Sequence, residues 1–204
     1  MKKLLAGIVL STLFFTANAQ FSFGPKVGVN LNTATTTYTG VTIDPITANF
    51  NIGAFGSYKF SNNFAGQIEA FYSGEGVKYK YKGNPIVFTD KIGYLNIPLL
   101  IKYVSSGSFF AETGPQLGFV LSATESEADS TGSINIKSDI NSTKFSWVIG
   151  LGFEFAHAVG LDIRYAAGLS AINANTTGGT NKGSVLSVGL YYAIHTKSEA
   201  PASH

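Results

Sequence analysis

From Phe145 to Phe155 the chain reads FSWVIGLGFEF. Phe145, Trp147, Ile149, Leu151, Phe153 and Phe155 stand on one parity; Ser146, Val148, Gly150, Gly152 and Glu154 stand on the other. A period of two is that of a β-strand, whose successive side chains leave opposite faces. In a water-soluble sheet the large residues would face a core and the second face would be polar enough for water. Here the second face is glycine and other small residues with a single carboxylate. The composition agrees: charged residues are 13% of the chain, against about 25% in an average soluble domain, while aromatics reach 13% and glycine numbers 23. The alternation therefore predicts a strand whose large face meets lipid and whose small face meets a crowded interior.

Eight such segments recur, at about residues 21–32, 47–60, 64–81, 92–104, 109–122, 145–155, 159–172 and 184–194. The connections at 61–63, 105–108 and 156–158 are short, whereas 33–46, 82–91, 123–142 and 173–183 are long and polar. Long and short loops in alternation put all long loops at one end, the pattern of a transmembrane β-barrel with short periplasmic turns. The expected fold is all-β, an eight-stranded antiparallel up-and-down transmembrane β-barrel, embedded in outer-membrane lipid. Phe60, Phe64, Tyr103, Phe109 and Phe155 then form a periplasmic aromatic girdle, and Tyr72, Tyr79, Tyr81 and Tyr94 an outer one. The phase slips near Gly74, Glu75 and Gly76, which predicts a bulge. Pro98 and Pro115 lie in mid-strand, where each removes a ladder donor and predicts a bulge or a bonding gap.

Lys2 and Lys3, the apolar run 4–15 and the small-x-small triplet Ala17-Asn18-Ala19 predict a signal peptide over 1–19, with Gln20 the first mature residue. The barrel then spans 20–194, and 195–204 forms a polar, flexible periplasmic tail. The chain has no cysteine, which excludes disulfides, thiolate metal sites and a lipid-modified N-terminal cysteine. The net charge is only +2, and the one basic cluster, KYKYK at 78–82, reads as a solvated strand end; no nucleic-acid partner is expected.

By parity Glu69, Lys102, Glu112, Glu154, Asp162 and Arg164 point into the lumen, each within about six residues of a short turn. Charges in a narrow interior must pair or hold water. Lys102 is expected opposite Glu112, and Glu154 beside Arg164, with Lys26 and Lys59 also facing inward. Eight strands leave an interior just wide enough for side chains, so these groups are expected to plug the lumen rather than line an ion path.

No catalytic constellation is visible. His157 falls in a short turn, and His195 and His204 in the tail. Asp44, Asp90, Asp129 and Asp139 are spread over three outer loops. Glu125, Glu127 and Asp129 lack the spacing of a calcium loop, and GEGVKYK lacks the third glycine and following helix of a phosphate loop. Neither enzymatic activity nor a cofactor is expected.

At YLNIPLLIKY (94–103) the chain resembles the small outer-membrane β-barrel proteins of Bacteroidota, the PorT-like group. GPKVGVNLN, IEAFYSGEGVKY, TGPQLGF and SVGLYYAI resemble that family in the same order, over about residues 20–194. The resemblance implies an outer-membrane barrel of about eight strands and no particular activity. PorT itself is tied to protein secretion and gliding, which raises an envelope protein as a possible partner. The chain departs from the usual terminal aromatic by running on past Ile194, so an assembly signal is expected internally, near Tyr192. The expected role is structural or surface recognition through the long outer loops. A component of a secretion or envelope-assembly complex is the alternative, and a narrow solute channel the third reading.

Overall fold

Alternating apolar and small residues with turn-forming breaks produce eight wall strands in the computed structural model, which describes residues 20–36, 41–44, 47–83, 86–106, 108–127, 132–155, 158–175 and 179–196. They are β1 (Gln20–Thr36), β2 (Thr47–Lys59), β3 (Phe64–Tyr81), β4 (Phe88–Val104), β5 (Phe109–Glu127), β6 (Thr143–Glu154), β7 (Val159–Gly168) and β8 (Asn181–Tyr192). Each pairs antiparallel with its sequence neighbours, and β8 returns to β1 with Lys26 opposite Tyr191 and Thr36 opposite Asn181. The ring therefore has no open edge, as a wall in hydrocarbon requires. Residues 1–19, where a signal peptide is expected, Asp129, His157 and residues 197–204 lie outside the described residues.

The two faces are inverted relative to a soluble protein. Outward-facing Leu151, Phe109 and Ile101 are 68%, 64% and 59% exposed, whereas inward-facing Asp162, Glu69 and Glu112 are 1%, 2% and 3% exposed. Glycines face inward where space is shortest. A Cβ on Gly150 would meet Arg164 Cγ at 2.9 Å and Glu112 Oε1 at 3.0 Å, and one on Gly160 would collide with the Tyr191 ring.

Several local expectations change. No bulge occurs at Gly74–Gly76: the β3–β4 register runs unbroken from Tyr72 opposite Leu95 to Tyr79 opposite Phe88. Val77, Tyr79 and Tyr81 instead lie on the lumen parity, above the apolar band. The register shift falls between Gly93 and Tyr94. Gly93 faces Ser122 and Tyr94 faces Val120, so Leu121 is the extra residue on β5. Beyond it the inward parity of β5 changes from even to odd, as buried Val120 and Ala123 show. Pro98 and Pro115 leave the register intact but each opens a gap: the ladder skips from Ile68–Leu99 to Phe71–Asn96 past Pro98, and from Pro98–Gln116 to Ile101–Thr113 past Pro115. His195, expected in a loose tail, belongs to the short strand Ile194–His195, which pairs with Ser22 and Phe23 of β1.

Candidate functional site in the lumen

The lumen is filled in three layers. At the periplasmic end Phe55, Phe110, Tyr191 and Ala193 make an apolar cluster. At the outer end Ile92, Tyr94, Val120 and Ala123 make a second, covered by Ile136, Ile140 and Ile172 from the long connections after β5 and β7. A bridge between Ile140 and Asn173 ties those two connections together. Between the clusters lies an ion-pair network.

Its centre is Arg164 of β7. The guanidinium donates from Nη1 to Glu69 Oε2 at 2.6 Å and from Nη2 to Glu69 Oε1 at 2.7 Å, a bidentate grip across the barrel to β3. Its Nε donates to Glu112 and lies 3.4 Å from Asp162 Oδ1. Lys26 of β1 closes the network, 2.6 Å from Asp162 Oδ2 and 3.9 Å from Glu69 Oε1. Gln67 adds a bond to Glu69 at 2.6 Å. Higher up, Lys144 Nζ reaches both oxygens of Glu75 at 2.5 and 2.6 Å and lies 4.3 Å from the Tyr94 ring centroid.

The geometry revises both expected pairs. Lys102 does stand opposite Glu112 in the register, but its ammonium turns away to lie 3.6 Å from the Phe110 ring centroid and 5.2 Å from that of Tyr191. Among the described residues no carboxylate is within ion-pair distance of it, because Arg164, with the longer and forked donor, has taken Glu112. Glu154 does not meet Arg164. It stands opposite Gly160, accepts from the Tyr191 hydroxyl at 3.1 Å and lies 3.5 Å from His195 Nε2 at the periplasmic mouth. The central charge is nonetheless balanced. Glu69, Glu112 and Asp162 give three negative charges; Lys26, Arg164 and Lys102 give three positive.

Glu75 and Lys144 are absent from the expected set. Lys144 shares the parity of Ser146 and Val148, so extending the opening stretch by one residue would have found it. Glu75 was hidden by the bulge expected at its flanking glycines. Tyr94, expected in the outer girdle, is 1% exposed inside the lumen; its parity is opposite to that of Leu95 and Ile97. At the other rim the expected girdle residues do cluster on the outer wall. Phe60 stacks on Phe64 with centroids 6.5 Å apart, and Phe64 meets Tyr103 at 5.3 Å. Phe153, at 4.8 Å from Phe109 and 4.9 Å from Phe155, bridges the other two.

Cavities flank the network among the described residues. A chamber of about 30 Å³ between the network and the Glu75–Lys144 pair is lined by Asn30, Asn51, Asn96 and Gln116, with the buried Asn96 Oδ1 lacking a protein partner. It has room for roughly two waters and none for a hydrated ion in transit. A polar vestibule of about 250 Å³ opens at the periplasmic mouth, lined by Lys59, Lys102, Glu154 and His195 among others. Among the described residues no group of three or more His, Cys, Asp or Glu is placed to hold a metal ion.

A family model described as "Outer membrane protein beta-barrel domain" matches residues 16–173. Among solved structures the chain is similar to Ail, the attachment invasion locus protein of Yersinia pestis, at 13% identity and TM-score 0.50, covering 85% of this chain and 98% of that one. It is also similar to the outer membrane protein OprG of Pseudomonas aeruginosa, at 12% identity and TM-score 0.46, covering 88% and 98%. At 13% identity the likeness to Ail is one of fold. No curated protein matches the chain.

Proposed function

This chain belongs to the outer membrane protein β-barrel family, and on that premise we propose that it is a closed, non-conducting, non-enzymatic barrel acting at the cell surface through its outer hairpins. The observation that carries this reading is the triple seal of the lumen: an aromatic cluster below, balanced ion pairs in the middle and an isoleucine-covered apolar cluster above. Such a lumen has no continuous bore. At the cell surface, other molecules are met by the outer rim, where β3, β4 and β5 run on past the apolar band and carry short added strands at Val41–Asp44 and Ser133–Asn135. Conductance of the purified barrel in planar bilayers tests the seal. The expected trace stays at baseline; a steady, reproducible ion current would overturn the reading and favour a narrow channel.

A second reading is membership of a secretion or envelope-assembly complex, suggested by the PorT-like sequence resemblance. The vestibule favours it, because it offers a polar, mixed-charge recess to a periplasmic protein. Crosslinking the tagged barrel in native outer membranes tests it: a stoichiometric envelope partner at Lys59 or His195 supports the reading, and recovery of the barrel alone removes it.

A further inference from the structure

Above the apolar band the sheet carries opposite charges on its two faces. Outward positions of β3 run from Ile68, Ala70 and Tyr72 to Lys78 and Lys80, and those of β4 run from Ile97 and Leu95 to Lys91. The register sets Lys91 opposite Gly76 and Lys78 opposite Thr89, so Lys78 and Lys91 are diagonal neighbours on one face. Both are exposed. The lumen side of the same hairpins carries the acid: Asp90 stands opposite Glu125, and Glu125 accepts from the Tyr79 hydroxyl. Among the described side chains, which do not include that of Asp44, none of the three lysines has a carboxylate within ion-pair distance. Asp44 stands opposite Lys78 in the ladder and diagonal to Lys80, and a single carboxylate can neutralise one lysine, so at least two of the three are left in surplus.

We infer that Lys78, Lys80 and Lys91 form a docking stripe for the phosphate groups of a phosphorylated glycolipid in the outer leaflet. The stripe continues upward from the lipid-facing band, at the height where headgroups lie, and lysine stems can follow the wall while their ammonium groups reach water. An ammonium is a compact point charge suited to phosphate. The outer wall of a closed barrel is convex, so a soluble anion would gain little from three spaced lysines. A ligand tethered in the same leaflet is already concentrated at the stripe.

The test compares the wild-type barrel with the Lys78→Gln/Lys80→Gln/Lys91→Gln variant in nanodiscs. Retention of bisphosphorylated lipid A is measured against dephosphorylated lipid A with the same acyl chains, and Lys59→Gln at the periplasmic end serves as control. With roughly fivefold expected for each surplus lysine near a charged lipid surface, the wild type and Lys59→Gln should prefer the phosphorylated lipid about 25-fold, and the triple variant should lose most of that preference. Equal preference in the wild type and triple variant would overturn the inference. So would displacement of the lipid by equimolar inorganic phosphate, which would assign the lysines to a soluble anion. Lys78 and Lys91 are exposed and Lys80 is half-buried at the rim, and heat-modifiable migration checks that each variant remains a barrel.

Discussion

Removing the Arg164 guanidinium is the sharpest perturbation of the lumen. Arg164→Met keeps much of the side-chain volume but removes two bonds to Glu69 and one to Glu112. Three buried carboxylates then face Lys26 and Lys102 alone, and Lys102 is held over aromatic rings rather than over a carboxylate. Breaking a buried ion pair from one side costs about 3–5 kcal/mol, because the remaining charge stays desolvated. Neutralising the abandoned partners should return much of that. The triple variant Arg164→Met/Glu69→Gln/Glu112→Gln is expected to recover at least about half of the loss, since replacing a whole buried ionic group is often nearly neutral. The assay is reversible urea unfolding in lipid vesicles, followed by the fluorescence of Trp147, the single tryptophan. A loss below about 1 kcal/mol for Arg164→Met, the range of an exposed pair, would refute the reasoning. A triple variant no more stable than the single one would refute it equally.

Lys102→Met should cost far less than Arg164→Met, under about 1.5 kcal/mol by analogy with volume-conserving replacements, because Lys102 gives up ring contacts and leaves no paired carboxylate stranded; comparable losses in the same unfolding assay would restore the Lys102–Glu112 pair. At the outer rim, burial, aided by the charge of Glu125, pushes the Asp90 carboxyl up from 3.8 to about 7. A raised acid binds more protons folded than unfolded, so its contribution is unfavourable as pH rises from about 4 through 7. Amide protection in the outer part of the β4–β5 ladder should be higher at pH 5 than at pH 8, and Asp90→Asn should flatten the difference; an unchanged pH dependence in Asp90→Asn would remove Asp90 as its source.

The wall was legible in the sequence because parity is a local property. Phe145 through Phe155 assigns its own faces, and the alternating loop lengths close the ring. Parity also put Glu69, Glu112, Asp162 and Arg164 inside. It does not say which groups meet across a lumen. Arg164 binds Glu69, a residue 95 positions away on a strand that is not its neighbour, and reasoning along adjacent hairpins offered it Glu154 instead. Tyr94 was drawn to the outer girdle by residue type against its own parity. Glu75 was obscured because glycines on both sides imitate a bulge, while the register shift formed at Gly93, where Leu121 is squeezed out of the facing strand. The apolar lids were also beyond reach: Ile136 and Ile140 come from a connection without periodicity, and Ile172, expected at the end of the seventh strand, lies in the connection after β7, which ends at Gly168.

The account rests on a wall turned inside out, with its large residues in lipid. Trp147 reports on this directly: it is 44% exposed on the outer wall, with its indole Nε1 donating to Thr113 Oγ1 at 3.0 Å. The decisive measurement is quenching of Trp147 in reconstituted vesicles by acyl-brominated phospholipids and, separately, by aqueous acrylamide. Strong quenching by brominated chains with little effect of acrylamide is the predicted result. Strong acrylamide quenching with no response to the brominated lipids would place Trp147 in water, and no quenching by either agent would place it in a protein core; both results contradict the barrel's orientation.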